Sequence, residues 1–194
     1  TSKATAKATA IAEPAPAPRA PERRTGEELL DEAAELVERG RFVAARELLE
    51  ARLAAAEDDL GARLTLAHLH DLLQAPERAR ACYREGVERE PLRAEPHLFL
   101  GIHLFARRDP DAAAAELSRA LFLDPDLALG HYFLGRCREA QGDLDRARLA
   151  YRNALAAHER RPEGHRQRFV GRYPDLPQGG AAFARAARYA LEAL

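Results

Sequence analysis

The sequence predicts an all-α protein, an α-solenoid of four helix-turn-helix repeats followed by a C-terminal capping helix. The first observation is a period, because Leu66, Leu100 and Leu134 lie 34 residues apart and each precedes a small residue. The second is an alanine that follows each of these leucines by thirteen positions. Paired helices bury an apolar face only by stacking on neighbouring pairs, and helices that cross closely need small residues at the contact. The periodicity therefore indicates a stacked helical array.

Four units fit this period without an insertion or a deletion. In the second helix of each unit, small and large residues recur at intervals of four positions, as at Ala147, Tyr151 and Leu155, which makes one apolar stripe. Between the two helices of a unit, residues such as Asp109 and Pro110 supply the N-cap and first-turn signals of the second helix. The predicted array covers 26–161, with units at 26–59, 60–93, 94–127 and 128–161.

This pattern of small and large residues resembles the tetratricopeptide-repeat family, with the best copies at residues 94–125 and 131–154. The resemblance covers all four units. It implies a right-handed superhelix in which the first helix of each repeat lines a concave binding surface. The first unit departs from the family pattern at Glu32, Arg52 and Glu57. A terminal repeat that faces solvent on one side tolerates such departures.

The segments outside the units differ from them in composition. Residues 1–25 are rich in alanine and proline, lack apolar periodicity and are predicted to form a disordered linker. A linker at this place predicts that the chain is the C-terminal part of a larger protein. Residues 162–180 are predicted to be an irregular basic connection. Residues 181–194 are predicted to form a helix with Phe183 and Leu191 on one apolar stripe, which caps the last unit or folds over its groove.

Charge, apolar stretches and cysteines restrict the partners and the location that the sequence predicts. The net charge of −1 divides into +3 for residues 1–25, −7 for 26–158 and +3 for 159–194, so no nucleic-acid surface is predicted. No apolar stretch is long enough for a secretion signal or a membrane span, which predicts a cytoplasmic protein without membrane insertion. Cys82 and Cys137 are separated by a whole repeat and are expected to be reduced thiols.

The sequence predicts no catalytic, cofactor or metal site in this fragment. No lysine follows Lys7, which excludes a P-loop, and Ser118 lacks the flanking glycines of a nucleophile elbow. His68 and His70 point about 200° apart on a helix, so they are poorly placed to share a metal ion. The chain is therefore predicted to be a non-catalytic binding module.

An apolar and aromatic surface is the best candidate for a binding site. The inward columns of the first helices in units two, three and four carry residue types that dominate interfaces. We predict that they form a groove for a protein or peptide segment, in a chain that is a monomer or a weak oligomer. The predicted groove consists of His68, Leu98, Phe99, Ile102, Phe105, Tyr132, Phe133 and Arg136.

A narrower resemblance concerns residues 119–136 and 148–155, which are similar to the repeats behind the catalytic domain of CheR-type chemoreceptor methyltransferases. The linker at residues 1–25 is in keeping with that domain order. The resemblance implies a regulatory or targeting module of an enzyme that transfers a methyl group from S-adenosylmethionine to receptor glutamates. Its partner would be a chemoreceptor or the parent's own catalytic domain, and the module would control access to those glutamates.

Two alternatives stay open. A general scaffold or adaptor in secretion, envelope assembly or signalling shares every repeat feature, and only the sequence before Thr1 separates it from a methyltransferase module. A clamp for chaperone tails is less well supported, because that subclass holds a terminal carboxylate with lysines and asparagines on its first helices. Residues 26–161 contain no lysine, and Asn153 lies on a predicted second helix.

Overall fold

Nine helices follow one another in the residues that the computed structural model describes, 25–161 and 180–194. The predicted linker and the predicted basic connection lie outside these residues, apart from Thr25 and Gly180 at their ends. The helices confirm the all-α solenoid with a C-terminal capping helix. They are α1 (Gly26–Glu38), α2 (Phe42–Ala55), α3 (Leu60–Leu72), α4 (Pro76–Arg89), α5 (Ala94–Ala106), α6 (Pro110–Leu123), α7 (Ala128–Ala140), α8 (Leu144–Arg160) and α9 (Gly180–Glu192).

The helix starts have local causes in the sequence. The first helices α1, α3, α5 and α7 each span 13 residues and begin 34 residues apart. Thr25 and Glu28 form a capping box at the start of α1, in which each side chain bonds to the backbone N–H of the other residue. The side chains of Asp59, Asp109 and Asp143 accept hydrogen bonds from backbone N–H groups at the starts of α3, α6 and α8.

The turn inside each unit has the same backbone conformation four times. Gly40, Gln74, Arg108 and Gly142 lie 34 residues apart and have φ angles between 55° and 78°. In every copy the N–H of this residue bonds to the carbonyl three residues before it, and the next N–H bonds to the carbonyl five residues before it. Glycine adopts this left-handed conformation without strain, whereas Gln74 and Arg108 adopt it at a cost of about 1 kcal/mol each.

A small residue of the first helix faces a large residue of the second helix in units three and four. A Cβ added to Gly101 would lie 2.7 Å from Leu117 Cγ, and one added to Gly135 would lie 2.6 Å from Tyr151 Cε1. Leu117 and Tyr151 are completely buried. The two helices of these units therefore cross closely at a glycine, and this contact is repeated with the period of the sequence.

The apolar core of the described residues consists of two clusters. The larger cluster runs from α3 to α9 and has Tyr151 among its members. The smaller cluster joins α1 and α2 to one face of α3 through Leu30, Leu49 and Leu66. Cys82 on α4 packs against both clusters. The first unit is thus attached to the array through an interface of its own.

The C-terminal helix α9 packs on α8, and each first helix likewise contacts the second helix of the preceding unit. Phe183 of α9 is fully buried, and its ring lies 5.8 Å from the ring of Tyr132 and 5.4 Å from that of His158. Arg148 of α8 donates a hydrogen bond to the backbone carbonyl of Leu194. These contacts cover the apolar end of the last unit.

The two cysteines are free thiols, and burial raises the pKa of both. For Cys137 burial raises the pKa to about 12. Because the thiolate is the nucleophile, we expect iodoacetamide at pH 8 to alkylate Cys137 about a thousandfold more slowly in the native protein than in urea. Mass spectrometry after timed alkylation measures both rates. Equal rates in the two states would show that Cys137 is not enclosed by the helices.

Candidate functional site

The predicted groove is not an open surface. His68, Leu98, Phe99, Ile102, Tyr132 and Phe133 expose at most 8% of their area, and only Phe105 and Arg136 are half-buried. Three of its four aromatic side chains, those of Phe99, Tyr132 and Phe133, are packed inside the protein. A binding role for the eight residues stays a prediction, and for the six buried ones it requires a movement that exposes them.

Contacts between aromatic rings explain part of this burial. The ring of Phe133 lies 5.8 Å from that of Phe105 and 5.4 Å from that of Tyr132, both in edge arrangements. Tyr132 lies in turn 5.8 Å from Tyr151 and 5.8 Å from Phe183. The rings thus connect α5, α7, α8 and α9, and each such pair contributes about 0.5–1.5 kcal/mol beyond the area it buries.

Phe105 and Arg136 form the part of the predicted groove that remains accessible. The guanidinium carbon of Arg136 lies 5.4 Å from the centre of the Phe105 ring, which is a cation–π contact. Nη1 of Arg136 also lies 3.5 Å from the hydroxyl of Tyr132. This arrangement presents one aromatic ring and one cation at the end of α5 and the middle of α7.

Histidines on α5 and α7 form hydrogen bonds to a neighbouring helix or to the preceding turn. His97 lies 2.7 Å from Oε2 of Glu116 and 3.1 Å from the carbonyl of Pro91, and His131 lies 2.9 Å from the carbonyl of Pro125. His97 and His131 are equivalent positions, so each ties its helix to the turn that precedes it. Among the described residues, no group of three histidine, cysteine or acidic side chains is arranged to hold a metal ion.

A cavity of about 450 Å³ lies between the N-terminal turns of α1, α3 and α5. We call it the acidic cavity. Leucines on α1 and α3 form its apolar wall. Its carboxylates come from the starts of α1 and α5 and from the turns that precede α3 and α5. The apolar wall is Leu30, Leu60 and Leu64, the carboxylates are Glu27, Asp58, Asp59, Glu90 and Glu95, and the cationic side chain is Arg93.

Ion pairs position several of these carboxylates. Oδ2 of Asp59 lies 2.7 Å from Nε of Arg52, and Oε1 of Glu95 lies 3.0 Å from Nη2 of Arg93. The hydrogen bond to Glu95 raises the pKa of Arg93, and the fields of Glu95 and Glu90 raise it further. Partial burial opposes ionisation of Glu95, but hydrogen bonds to its carboxylate outweigh burial and lower its pKa. Arg93 and Glu95 are therefore both charged at neutral pH.

The predicted groove does not include the residues of this cavity. The acidic side chains at the helix starts favour helix formation, because a carboxylate interacts well with the positive end of the helix dipole. Glu27 and Glu95 are second residues of α1 and α5, where this explanation is sufficient. Gly61 is the equivalent residue of α3 and lines the cavity without a side chain.

Among the described helices, none combines the length and the apolar character that a membrane crossing requires. This finding concerns residues 25–161 and 180–194.

Solved structures of other proteins have folds similar to this one. A crystal structure of MamA is 20% identical, with a TM-score of 0.58, and the match covers 83% of this chain and 95% of that chain. A second MamA crystal structure is 21% identical, with a TM-score of 0.59, and covers 84% of this chain and 86% of that one. At these identities the likeness shows the fold alone.

A further match is a mutant of the O-GlcNAc transferase from Thermobaculum terrenum, which is 26% identical with a TM-score of 0.58. It covers 69% of this chain but 26% of the transferase, so the likeness concerns a minor part of that enzyme. No curated protein sequence matches the chain at a significant level.

Family models identify the repeats themselves. One model of the tetratricopeptide repeat matches residues 36–101, and another matches residues 98–164. The two spans join without a gap and cover most of the four units. The CheR-type resemblance finds no match of its own in these comparisons. The chain belongs to the tetratricopeptide-repeat family.

Proposed function

We propose that this chain is a non-catalytic interaction module that holds a segment of another protein against its first helices. Membership of the tetratricopeptide-repeat family supports this function, because stacked repeats create extended binding surfaces. The observation that carries the proposal is the acidic cavity, which three successive first helices build together. Its volume of about 450 Å³ falls within the range of ligand pockets and has room for a few side chains of an extended segment.

A narrower function is the regulatory or targeting module of a CheR-type chemoreceptor methyltransferase in the cytoplasm. Its support is the resemblance of residues 119–136 and 148–155 to the repeats of that family. The partner would then be a chemoreceptor or the catalytic domain of the parent protein. The sequence immediately before Thr1 tests this proposal, since a methyltransferase domain there supports it and any other domain favours a general scaffold.

Selection of peptides from an unbiased display library tests the broader proposal. We expect the full chain to select peptides that bind with micromolar dissociation constants, which correspond to about −8 kcal/mol. A photo-crosslinking amino acid at Glu95, in the acidic cavity, should attach to the selected peptides. The same amino acid at Arg152, on the exposed side of α8, is the matched control and should not.

Two outcomes would contradict the proposed function. The first is that no peptide is enriched over repeated rounds, which argues against a segment-binding module. The second is that the crosslinker reacts at Arg152 and not at Glu95, which moves the binding surface to the second helices.

A further inference from the structure

A buried histidine lies in the interface between the first two units. His70 follows Leu66 of the smaller apolar cluster by four residues on α3, so both side chains lie on the face of α3 that packs against the first unit. His70 exposes 6% of its area. The equivalent residue of unit three is Leu104, which belongs to the larger apolar cluster. The first interface therefore contains an ionisable ring at a position where unit three has a leucine.

The charges around His70 leave little to balance a proton on its ring. Charged side chains of three helices act on it, and they are Arg46 and Glu50 of α2, Arg78 of α4 and Asp71 of α3 itself. Both carboxylates already have partners. Oε1 of Glu50 lies 3.7 Å from Nε of Arg46, and Oδ1 of Asp71 lies 2.9 Å from Nδ1 of His103. A proton on His70 would therefore add a cation to a buried interface that two guanidinium groups already adjoin.

These surroundings disfavour the protonated ring. Burial lowers the pKa of His70, and the field of Arg78 lowers it further, although Glu50 acts in the opposite direction. In a detached first unit the ring would have the ordinary histidine pKa of about 6.5. Because the detached form then binds a proton more readily than the attached form, acidification below about pH 6.5 favours detachment.

We propose that His70 makes the attachment of the first unit depend on pH. The unit is held on α3 while the ring is neutral, and it detaches more often as the ring becomes protonated between about pH 7 and 5. The residues of the larger apolar cluster come from α3 to α9, so this cluster stays folded when α1 and α2 detach. The proposal is independent of the proposed function, because it concerns the array without a ligand.

Hydrogen–deuterium exchange of the full chain tests this proposal. Helices as short as α1 and α2 are only marginally stable alone, so the amides of a detached unit exchange quickly. After correction for the intrinsic rate at each pH, exchange of α2 should become about fivefold faster from pH 7.5 to pH 5.5, and about tenfold is the limit for a single proton. Exchange of α6, which lies within the larger cluster, is the internal control and should become less than about twofold faster.

Variants separate His70 from other groups that titrate in this range. His70→Leu copies unit three at this position, and His70→Gln keeps a polar side chain that carries no charge. In either variant exchange of α2 should vary by less than about twofold over the same pH range. His131→Gln is the matched control, because burial also lowers the pKa of His131, but this residue lies on α7 in unit four. It should leave the response of α2 unchanged.

Several results would overturn the proposal. One is that corrected exchange of α2 is as slow at pH 5.5 as at pH 7.5. Another is that α6 accelerates as much as α2, which would indicate unfolding of the whole array. Persistence of the α2 response in the His70 variants, or its loss in His131→Gln, would assign the titration to another group. Circular dichroism establishes which variants are folded at each pH, and one folded His70 variant is sufficient for the comparison.

Discussion

Replacing Tyr151 by alanine is expected to lower the free energy of unfolding by about 3–5 kcal/mol. Tyr151 is completely buried in α8, where its ring packs against Gly135 and lies 5.8 Å from the ring of Tyr132. Truncation leaves a cavity between the two helices of unit four, and the close crossing at Gly135 prevents other side chains from filling it. Urea denaturation followed by circular dichroism at 222 nm measures the loss.

Tyr151→Phe is the matched control for this variant. It keeps the ring and removes only the hydroxyl group, which donates a hydrogen bond to Oε2 of Glu139 over 2.7 Å. The expected cost is about 1–2 kcal/mol, because Glu139 is exposed and can be solvated again. If the alanine variant were no less stable than the phenylalanine variant, the ring would contribute little to the core, and the packing of unit four described above would be wrong.

The same substitution at two helical glycines is expected to have opposite effects. At Gly135 a Cβ would lie 2.6 Å from Cε1 of Tyr151, and the Tyr151 ring has no free space into which to move. Gly135→Ala should therefore lower the free energy of unfolding by about 1–3 kcal/mol, as overpacking does. At Gly86 the nearest atom to an added Cβ is Leu60 Cδ1 at 3.4 Å, which is an ordinary contact.

Gly86→Ala should raise the free energy of unfolding by up to about 1 kcal/mol, because alanine is the better helix former. Calorimetric melting of both variants beside the unchanged chain gives the comparison. Equal melting temperatures for the two variants would mean that α7 and α8 do not approach each other at Gly135.

The architecture was predictable because its main contact repeats along the chain. Leu117 follows Gly101 by sixteen residues, and Tyr151 follows Gly135 by the same distance. Each pair marks a place in the sequence where two helices cross closely. The turns at Gly40 and Gly142 also repeat, and their backbone conformation favours glycine. Contacts and turns that recur in each unit are therefore visible in the sequence as a period.

The exposure of the candidate site was not predictable in the same way. Tyr132 occupies an inward column by its position in α7, but Phe183 from a helix outside the repeat pattern covers it. The acidic cavity arises from three helix starts and two turns that are far apart in sequence. Glu27 and Glu95 have an adequate local explanation as helix-start residues, so only the three-dimensional arrangement distinguishes a binding wall from a set of caps.

The separate attachment of the first unit predicts an end of the array that opens on its own. Leu30 and Leu49 lie in the smaller apolar cluster, so α1 and α2 can fray from α3 while the larger cluster stays folded. Gly26, Glu27 and Leu30 also belong to the wall of the acidic cavity, and each such opening dismantles that wall. A ligand bound there stabilises only the closed end. Ligand binding in the cavity and local unfolding of the first repeat therefore oppose each other.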